Sequence, residues 1–237
     1  LSAVGQAGFH MTDTSAPIGP NTWAAAYASA QSAIEGVELL LTGQPAYALC
    51  RPPGHHAGAD YLGGYCFINQ AAVAAQAARD AGIARVAILD IDYHHGNGTQ
   101  DIFWDRGDVF YASVHADPAT DFPFYWGHAD EVGEGEGMGA NLNLPLPRGT
   151  GDEGFIAALG TALEKIDSWG ADSLVLALGL DAYKGDPFAG LGVSTKGFSR
   201  IGQAVAGMGL PTTVIQEGGY LCPELGENLA AVLGEFA

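Results

Sequence analysis

Five runs of mostly apolar residues in this chain lead into side chains that can bind a metal ion or move a proton. They span residues 46–50, 86–89, 109–114, 174–178 and 212–215, and Asp, His or Tyr follows each run within five residues. Unbroken apolar runs are typical of strands that helices bury on both faces. In an open parallel sheet the ligand site lies beyond the carboxyl ends of the strands. The sequence therefore predicts that its reactive groups gather at one edge of a parallel sheet.

Segments with helical periodicity separate these strands. We predict helices that begin at Asn21, Asn69 and Asp152, and near Thr195 and Glu224, with Asn21 and Asp152 as capping residues. One face of the first helix is predicted to carry Trp23, Tyr27, Ala30, Ile34, Val37 and Leu41. Alternation of strands and helices at this spacing indicates an α/β fold, with three αβα layers around a mostly parallel, doubly wound sheet.

Length and composition favour one domain, residues 1–237. The chain is 48% hydrophobic, and no linker or repeat divides it. No apolar run reaches the roughly 18 residues of a membrane span, and no charged and apolar leader opens the chain, so we expect a cytoplasmic protein. The chain starts with Leu1, and residues 1–20 show no strand. We therefore expect the fold to be incomplete at its N-terminus.

The cysteines exclude two common ways of building a small site. Cys50, Cys66 and Cys222 are widely spaced and odd in number, so they predict neither a disulfide framework nor a CxxC zinc site. We expect Cys50 and Cys66 to be small buried residues. Any metal ion must therefore be held by Asp and His.

Residues 90–98, Asp-Ile-Asp-Tyr-His-His-Gly-Asn-Gly, contain the densest group of candidate ligands. Asp92 and His94 alternate with Tyr93, so in extended chain their side chains point to the same side. Asp181, at the end of another strand, is the obvious third ligand. Two carboxylates and one imidazole would leave a zinc ion open to water and substrate, which is the mark of a catalytic site.

A pair of adjacent histidines, His55 and His56, follows a rigid Pro-Pro-Gly turn. Each has a candidate partner near the metal segment, Asp90 for one and Asn97 for the other. A carboxylate holds imidazole in its charged form, whereas an amide leaves it neutral and suited to act as a general base. The two histidines should therefore differ in charge.

Tyr220 follows two glycines at the end of the last strand. The glycines allow a tight turn that could bring the phenol to the metal, where it would donate a hydrogen bond to a polarised carbonyl. The alternative is a tyrosine that packs at a strand end with its hydroxyl in water. The metal residues favour the first interpretation.

These motifs together resemble the zinc-dependent deacetylase branch of the arginase and deacetylase superfamily. The matching segments, in order, are residues 51–56, 64–69, 90–100, 179–181, 185–187 and 217–220. Within that branch the chain is most similar to the bacterial acetylpolyamine amidohydrolases and the class II histone deacetylases. Residues 124–131 favour the polyamine enzymes. The resemblance covers nearly everything after Gly43.

The resemblance implies an arginase/deacetylase fold and a hydrolysis that yields acetate and a free amine. It implies one catalytic Zn2+, with Fe2+ or Co2+ as possible substitutes. The implied ligands are Asp92, His94 and Asp181. Catalytic roles are implied for His56 as general base and then acid, Asn97 as its partner, His55 with Asp90 as an electrostatic pair, and Tyr220 as the group that polarises the carbonyl.

The resemblance also implies substrate and potassium sites. Tyr65 and Phe122 would wall a narrow acyl tunnel, and Gly64 would accept the amide N–H. One structural K+ would be held by Asp90, Asp92, His94, Ser113 and Val114. A second K+ would lie near Phe103, Arg106 and Val109.

Substrate choice is less constrained by the sequence. Residues 1–20 look like the remnant of an insert that in the polyamine enzymes narrows the entrance and builds a homodimer, and Asp13 is its only acid. The net charge of −18 favours a small cationic acetylated amine and disfavours nucleic acid, although acidic surfaces are common for solubility alone. Deacetylation of acetyl-lysine in proteins and a non-catalytic binding role stay open. A two-metal manganese ureohydrolase would need more ligands than the pattern provides.

Overall fold

The computed structural model describes residues 2–188 and 190–236, without the side chains of Ala3, Val4 and Ala7. Leu1 and Ala237, the two ends of the predicted domain, lie outside the described residues. The strands are β1 (Ala46–Ala48), β2 (Val86–Asp90), β3 (Val109–Ala116), β4 (Asn141–Leu146), β5 (Ser173–Leu178) and β6 (Thr212–Gln216). The α-helices are α1 (Ala3–Phe9), α2 (Thr22–Leu41), α3 (Gln70–Asp80), α4 (Asn97–Phe103), α5 (Asp152–Trp169), α6 (Thr195–Ala206) and α7 (Leu225–Leu233).

The six described strands form one sheet in the order β1-β6-β5-β2-β3-β4, with every neighbouring pair parallel. Residues of α5, α6 and α7 pack on one face of the sheet, and residues of α2 and α3 pack on the other. Because both faces are covered, β2, β3 and β5 are buried along their whole length. The predicted three-layer α/β fold is confirmed.

The sequence prediction missed β4 and α4. β4 is an edge strand in which buried and half-buried residues largely alternate, and its Asn141, Asn143 and Pro145 interrupt the apolar run. α4 spans only Asn97–Phe103 and begins within the segment assigned to metal binding. Neither element carries the pattern on which the prediction depended.

The face predicted for α2 is only partly correct: Ala30 and Val37 are buried as predicted, but the aromatic residues are not. Trp23 and Tyr27 are exposed, and the buried residues are mainly small ones: Ala26, Ser29, Ala30, Ala33, Gly36 and Val37. A Cβ at Gly36 would lie 3.0 Å from the Thr213 side chain of β6, so the helix approaches the sheet closely. Small residues permit this approach, and the large apolar side chains therefore do not mark the buried face.

Two predicted helix caps are also corrected. Asn21 precedes α2, but its side chain makes no capping hydrogen bond. Asp152 is the first residue of α5 rather than its cap, and its carboxylate accepts hydrogen bonds from the backbone N–H and hydroxyl of Ser194. Asp152 thus links the start of α5 to the start of α6.

Asn69 joins three segments that position the candidate site. Its side-chain oxygen accepts a hydrogen bond from the N–H of Ala72 and caps α3. Its amide group donates to the carbonyl of Ala57, in the loop after β1, and to the Thr99 hydroxyl of α4, both at 3.0 Å. Asn69 is buried, so all of these bonds form away from water.

No helix in the described part of the chain is both long enough and apolar enough to cross a membrane.

We expect Asn69→Ala to lower the free energy of unfolding by about 2–4 kcal/mol, because it removes a cap and leaves buried groups without partners. Asn21→Ala is the matched control, since Asn21 also precedes a helix but makes no capping bond. Its effect should stay within about 0.5 kcal/mol. Urea unfolding measures both values, and equal losses would contradict the role assigned to Asn69.

Candidate active site

Three predicted metal ligands meet at the carboxyl edge of the sheet. Potential ligand atoms of Asp92, His94 and Asp181 all lie within 4.8 Å of one another. His94 Nδ1 is 3.1 Å from Asp181 Oδ2 and 3.3 Å from Asp92 Oδ1. Asp92 and His94 follow β2, and Asp181 follows β5, its neighbour in the sheet. Two carboxylates and an imidazole suit Zn2+, so the donor set fits the predicted ion.

The backbone of two glycines, Gly179 and Gly218, packs directly against the carboxylates of Asp92 and Asp181. The N–H of Gly218 donates to Asp92 Oδ2 at 2.8 Å. A Cβ at Gly218 would lie 2.6 Å from that oxygen and 2.7 Å from Asp181 Oδ2. A Cβ at Gly179 would lie 2.3 Å from Asp92 Oδ2. The two glycines are therefore required for the close packing of backbone against the ligand group.

The pKa values of Asp181 and His94 are shifted far from their usual values. Burial and the charge of Asp92 raise the pKa of Asp181 to about 6, against the opposing effect of His94. Burial lowers the pKa of His94, but hydrogen bonds with Asp181 and Asp92 outweigh it and raise that pKa to about 9. The cluster thus concentrates negative charge that a divalent cation would neutralise.

His55 is held by the carboxylate predicted for it. Its Nδ1 lies 3.0 Å from Asp90 Oδ2, which also accepts a hydrogen bond from the Tyr111 hydroxyl at 3.1 Å. Burial opposes the charged imidazole, but the charges of Asp92 and Asp90 outweigh burial and raise the pKa of His55 well above its usual value. This environment therefore favours the charged imidazolium form of His55.

His56 lies beside His55 with the opposite charge preference. Its Nδ1 is 2.8 Å from Asn97 Oδ1, and the two histidine rings are 4.0 Å apart between centroids. Burial, followed by the charges of His55 and His94, lowers the pKa of His56 well below its usual value. Burial, an amide partner and a charged neighbour thus favour the neutral form of His56, which is the direction that the predicted difference in charge requires.

Tyr220 lies in the same pocket as His56 and His94. The pocket has a volume of about 300 Å³ and is lined by Asp13, Thr14, Ser15, His56, Gly64, Tyr65, His94, Phe122, Phe188 and Tyr220. Gly219 has a φ of 126°, which an L side chain rarely adopts, and the N–H of Tyr220 donates to Asp186 Oδ2 at 2.8 Å. This turn directs Tyr220 into the pocket rather than leaving it packed at a strand end. Predicted wall residues Gly64, Tyr65 and Phe122 are also present.

A model of the histone deacetylase domain matches residues 2–236. The chain belongs to the histone deacetylase family. It is 50% identical over 231 residues to acetylpolyamine amidohydrolase 1 of Pseudomonas aeruginosa. The aligned residues cover 97% of this chain and 67% of that protein. It is 48% identical over 230 residues to the acetylpolyamine amidohydrolase of Mycoplana ramosa, with the same coverage.

Solved structures of histone deacetylase relatives share this architecture. The acetylpolyamine aminohydrolase of Burkholderia pseudomallei is 48% identical with a TM-score of 0.95, over 98% of this chain and 68% of that one. A homologue from Aquifex aeolicus is 29% identical with a TM-score of 0.91, over 99% and 63% of the two chains. Membership in the deacetylase superfamily, the fold class and the assignment as a deacetylase are thus confirmed. The identity of the ion and the residue roles stay predictions.

Glu217 is a buried acid of the candidate active site, and no function was predicted for it from the sequence. Glu217 Oε2 accepts hydrogen bonds from the N–H groups of Gly54 at 2.7 Å and His55 at 3.1 Å. Burial raises the pKa of Glu217 to about 7, with His55 opposing and Asp90 reinforcing the shift. The residue fixes the backbone that carries the histidine pair. Its position after an apolar strand was the signal that could have revealed it.

The structure also brings together the residues assigned to each potassium ion. Asp90 of β2 pairs in register with Ser113 of β3. Val114 follows Ser113, and Asp92 and His94 follow Asp90, so these residues lie at the carboxyl edge of the sheet. Phe103, Arg106 and Val109 lie between the end of α4 and the start of β3. There the N–H of Arg106 donates to the carbonyl of Phe103 at 3.1 Å. Potassium binding at both places stays a prediction.

The cysteine predictions agree with the structure. Cys50, Cys66 and Cys222 are all free, and the first two are fully buried. Among the His, Cys, Asp and Glu side chains of residues 2–188 and 190–236, one group of three or more could share a metal ion. It consists of Asp92, His94 and Asp181.

We expect Asp181→Ala to lose bound zinc after loading and dialysis, because the remaining two ligands hold the ion weakly. Asp121→Ala is the matched control, since Asp121 is a buried acid that pairs with Tyr93 and Arg148 outside the ligand group. Metal analysis of the parent and the control should give about one zinc per chain. Full zinc retention by folded Asp181→Ala protein would contradict the ligand assignment.

Proposed function

We propose that this chain is a zinc-dependent amidohydrolase that removes acetyl groups from N-acetylated amines, with acetylpolyamines as its substrates. The observation that carries the proposal is the position of His56, which Asn97 holds in the same pocket as His94 and Tyr220. A candidate base, a candidate metal ligand and a phenol that can donate a hydrogen bond therefore line one cavity. The relatives named acetylpolyamine amidohydrolase support the substrate class.

The residues of the pocket divide the chemistry between them. Zinc held by Asp92, His94 and Asp181 would polarise the acetyl carbonyl and lower the pKa of the attacking water. As water adds to the acetyl carbon, His56 Nε2 would take up its proton, and it would give that proton to the amine nitrogen as the C–N bond breaks and acetate is released. The Tyr220 hydroxyl donates a hydrogen bond to the carbonyl oxygen as negative charge develops there. Burial, together with the charges of Asp181 and Asp92, raises the pKa of Tyr220, so the phenol keeps its proton.

His55 acts on the reaction through its charge. Its positive charge next to His56 disfavours a second positive charge on the base. Protonated His56 is therefore a stronger acid, which favours return of the proton to the amine nitrogen. Asp90 and Asp92 stabilise the charge on His55, so the pair of histidines works as one unit.

The pocket wall supports a cationic substrate with a slender acyl-bearing arm. Tyr65, Phe122 and Phe188 supply aromatic walls. Asp13 also lines the pocket, where its carboxylate accepts hydrogen bonds from the N–H groups of Ser15 and Gly64. Burial opposes ionisation of Asp13, but these bonds outweigh it and lower its pKa. A fixed negative charge beside the opening, in a chain of net charge −18, favours an amine with a second ammonium group.

The substrate test compares hydrolysis of acetylputrescine and acetylspermidine with that of an acetyl-lysine peptide by the zinc-loaded chain. We expect chelator-sensitive release of acetate, with higher kcat/KM on the acetylpolyamines. Preference for the peptide would assign the chain to protein deacetylation instead. Absence of turnover on all three substrates, despite bound zinc, would favour the binding role.

We expect Tyr220→Phe to lower kcat by roughly 10²–10³-fold, because one donor to the developing oxyanion is lost. Zinc content should not change. Tyr47→Phe is the matched control, since Tyr47 donates to Gln216 and does not line the pocket. Its kcat should match the parent, and an unaltered kcat in Tyr220→Phe would remove Tyr220 from the mechanism.

A further inference from the structure

A second cleft lies between α4 and the loop that precedes β4. It has a volume of about 390 Å³ and is lined by Gln100, Asp101, Trp104, Tyr125, Trp126 and Glu131. None of these residues lines the pocket of the candidate active site. Tyr125, Trp126 and Glu131 belong to the segment 124–131, for which the proposed reaction has no use.

Aromatic rings form most of the walls of this cleft. Tyr125 is 80% exposed and meets Trp126 edge to face, with ring centroids 6.4 Å apart. Trp126 in turn stacks on Tyr61 at 6.4 Å with only 9° between the ring planes. Trp104 completes the wall from the end of α4. Electron-rich ring faces of this kind attract organic cations.

Glu131 is fixed more firmly than an ordinary surface acid. Its Oε2 accepts hydrogen bonds from the Gly127 N–H at 2.8 Å, the Gln100 amide at 2.7 Å and the Asn143 amide at 3.2 Å. No hydrogen bond from a described residue reaches its other oxygen, Oε1. Gln100 and Asn143 are themselves buried, so they hold the carboxylate in one orientation.

Asp101 adds a second carboxylate to the cleft. It is exposed, and burial of part of its surface and the charge of Asp60 raise its pKa. Across the part of the chain that the structure describes, neither Asp101 nor Glu131 forms an ion pair with Lys or Arg. The cleft therefore combines uncompensated negative charge with aromatic walls.

We propose that this cleft is a second binding site, for the alkylammonium group of an organic amine. A metal ion fits it poorly, because the carboxylates are accompanied by rings instead of further oxygen or imidazole ligands. An alkylammonium group matches both features, since its charge suits the carboxylates and its methylene or methyl groups suit the rings. The proposal rests on the cleft's own residues and does not depend on deacetylation.

Two structural links connect the cleft to the candidate active site. The Tyr61 hydroxyl lies 3.4 Å from the carbonyl oxygen and 3.5 Å from the side-chain nitrogen of Asn97, the partner of His56. The turn 122–126 also supplies Phe122 to the active-site pocket and Trp126 to the cleft. An amine in the cleft would thus contact Trp126, whose ring stacks on Tyr61, and Tyr61 in turn lies against Asn97.

The test is titration of the zinc-loaded full chain with tetramethylammonium chloride at constant ionic strength. Tetramethylammonium has no acetyl group or N–H and cannot ligate zinc. Two of the four tryptophans line the cleft, so tryptophan fluorescence should change saturably. Tert-butanol, the uncharged analogue of similar shape, should produce no saturable change.

Paired variants locate the binding. We expect Asp101→Asn and Tyr125→Leu each to raise Kd by about 5-fold or more, because each removes one of the two attractive features. Asp105→Asn and Tyr27→Leu change an exposed acid and an exposed aromatic residue outside the cleft and should keep the parent Kd. Protein from which a chelator has removed the zinc should bind tetramethylammonium with the same Kd. This expectation holds whether or not the chain hydrolyses acetylated amines.

Three outcomes would overturn the proposal. They are no saturable change in the parent, an unaltered Kd in both cleft variants, and a Kd that rises in Asp13→Asn but not in Asp101→Asn. The last result would place the cation in the active-site pocket instead. Spermidine that displaces tetramethylammonium from the parent would extend the site to polyamines.

Discussion

Four carboxylates buried at one edge of the sheet are the constraint on which the rest of this structure depends. Asp90, Asp92, Asp181 and Glu217 are nearly inaccessible to water, and no Lys or Arg of the described residues pairs with them. Buried charge is costly unless it is paired or bound to a cation. His55, whose charged form is favoured, and backbone N–H groups compensate part of this charge. A bound cation would neutralise the remainder, which fits the grouping of Asp92, His94 and Asp181.

This concentration of charge also sets the difference between the two histidines. His55 contacts the acids directly, whereas His56 is one ring further away and meets an amide. The same acids therefore favour the charged form of His55 and, through that charge, the neutral form of His56. The charge preference of each histidine is thus set by the side chain that the fold places next to it, Asp90 for His55 and Asn97 for His56.

Most of the fold and most of the candidate site could be predicted, because parallel strands leave unbroken apolar runs and place their ends together. Five strands and the partners of His55 and His56 followed from that rule. The buried face of α2 did not, because close packing on the sheet selected Ala and Gly rather than Trp23 or Tyr27. β4 alternates as an edge strand, and the backbone partners of Glu217 could not be read from the sequence, although its position after an apolar strand marked it as a candidate. The cleft near Trp126 required knowledge of which loops meet in space.

Gly179 and Gly218 limit how this protein can vary. The space that a methyl group would need at either position is already filled by ligand carboxylates. Alanine, usually the mildest replacement, would therefore push Asp92 or Asp181 out of place and alter the ligand group without touching a ligand. Two residues with no functional group of their own thus limit substitution here through the short distance between backbone and carboxylate.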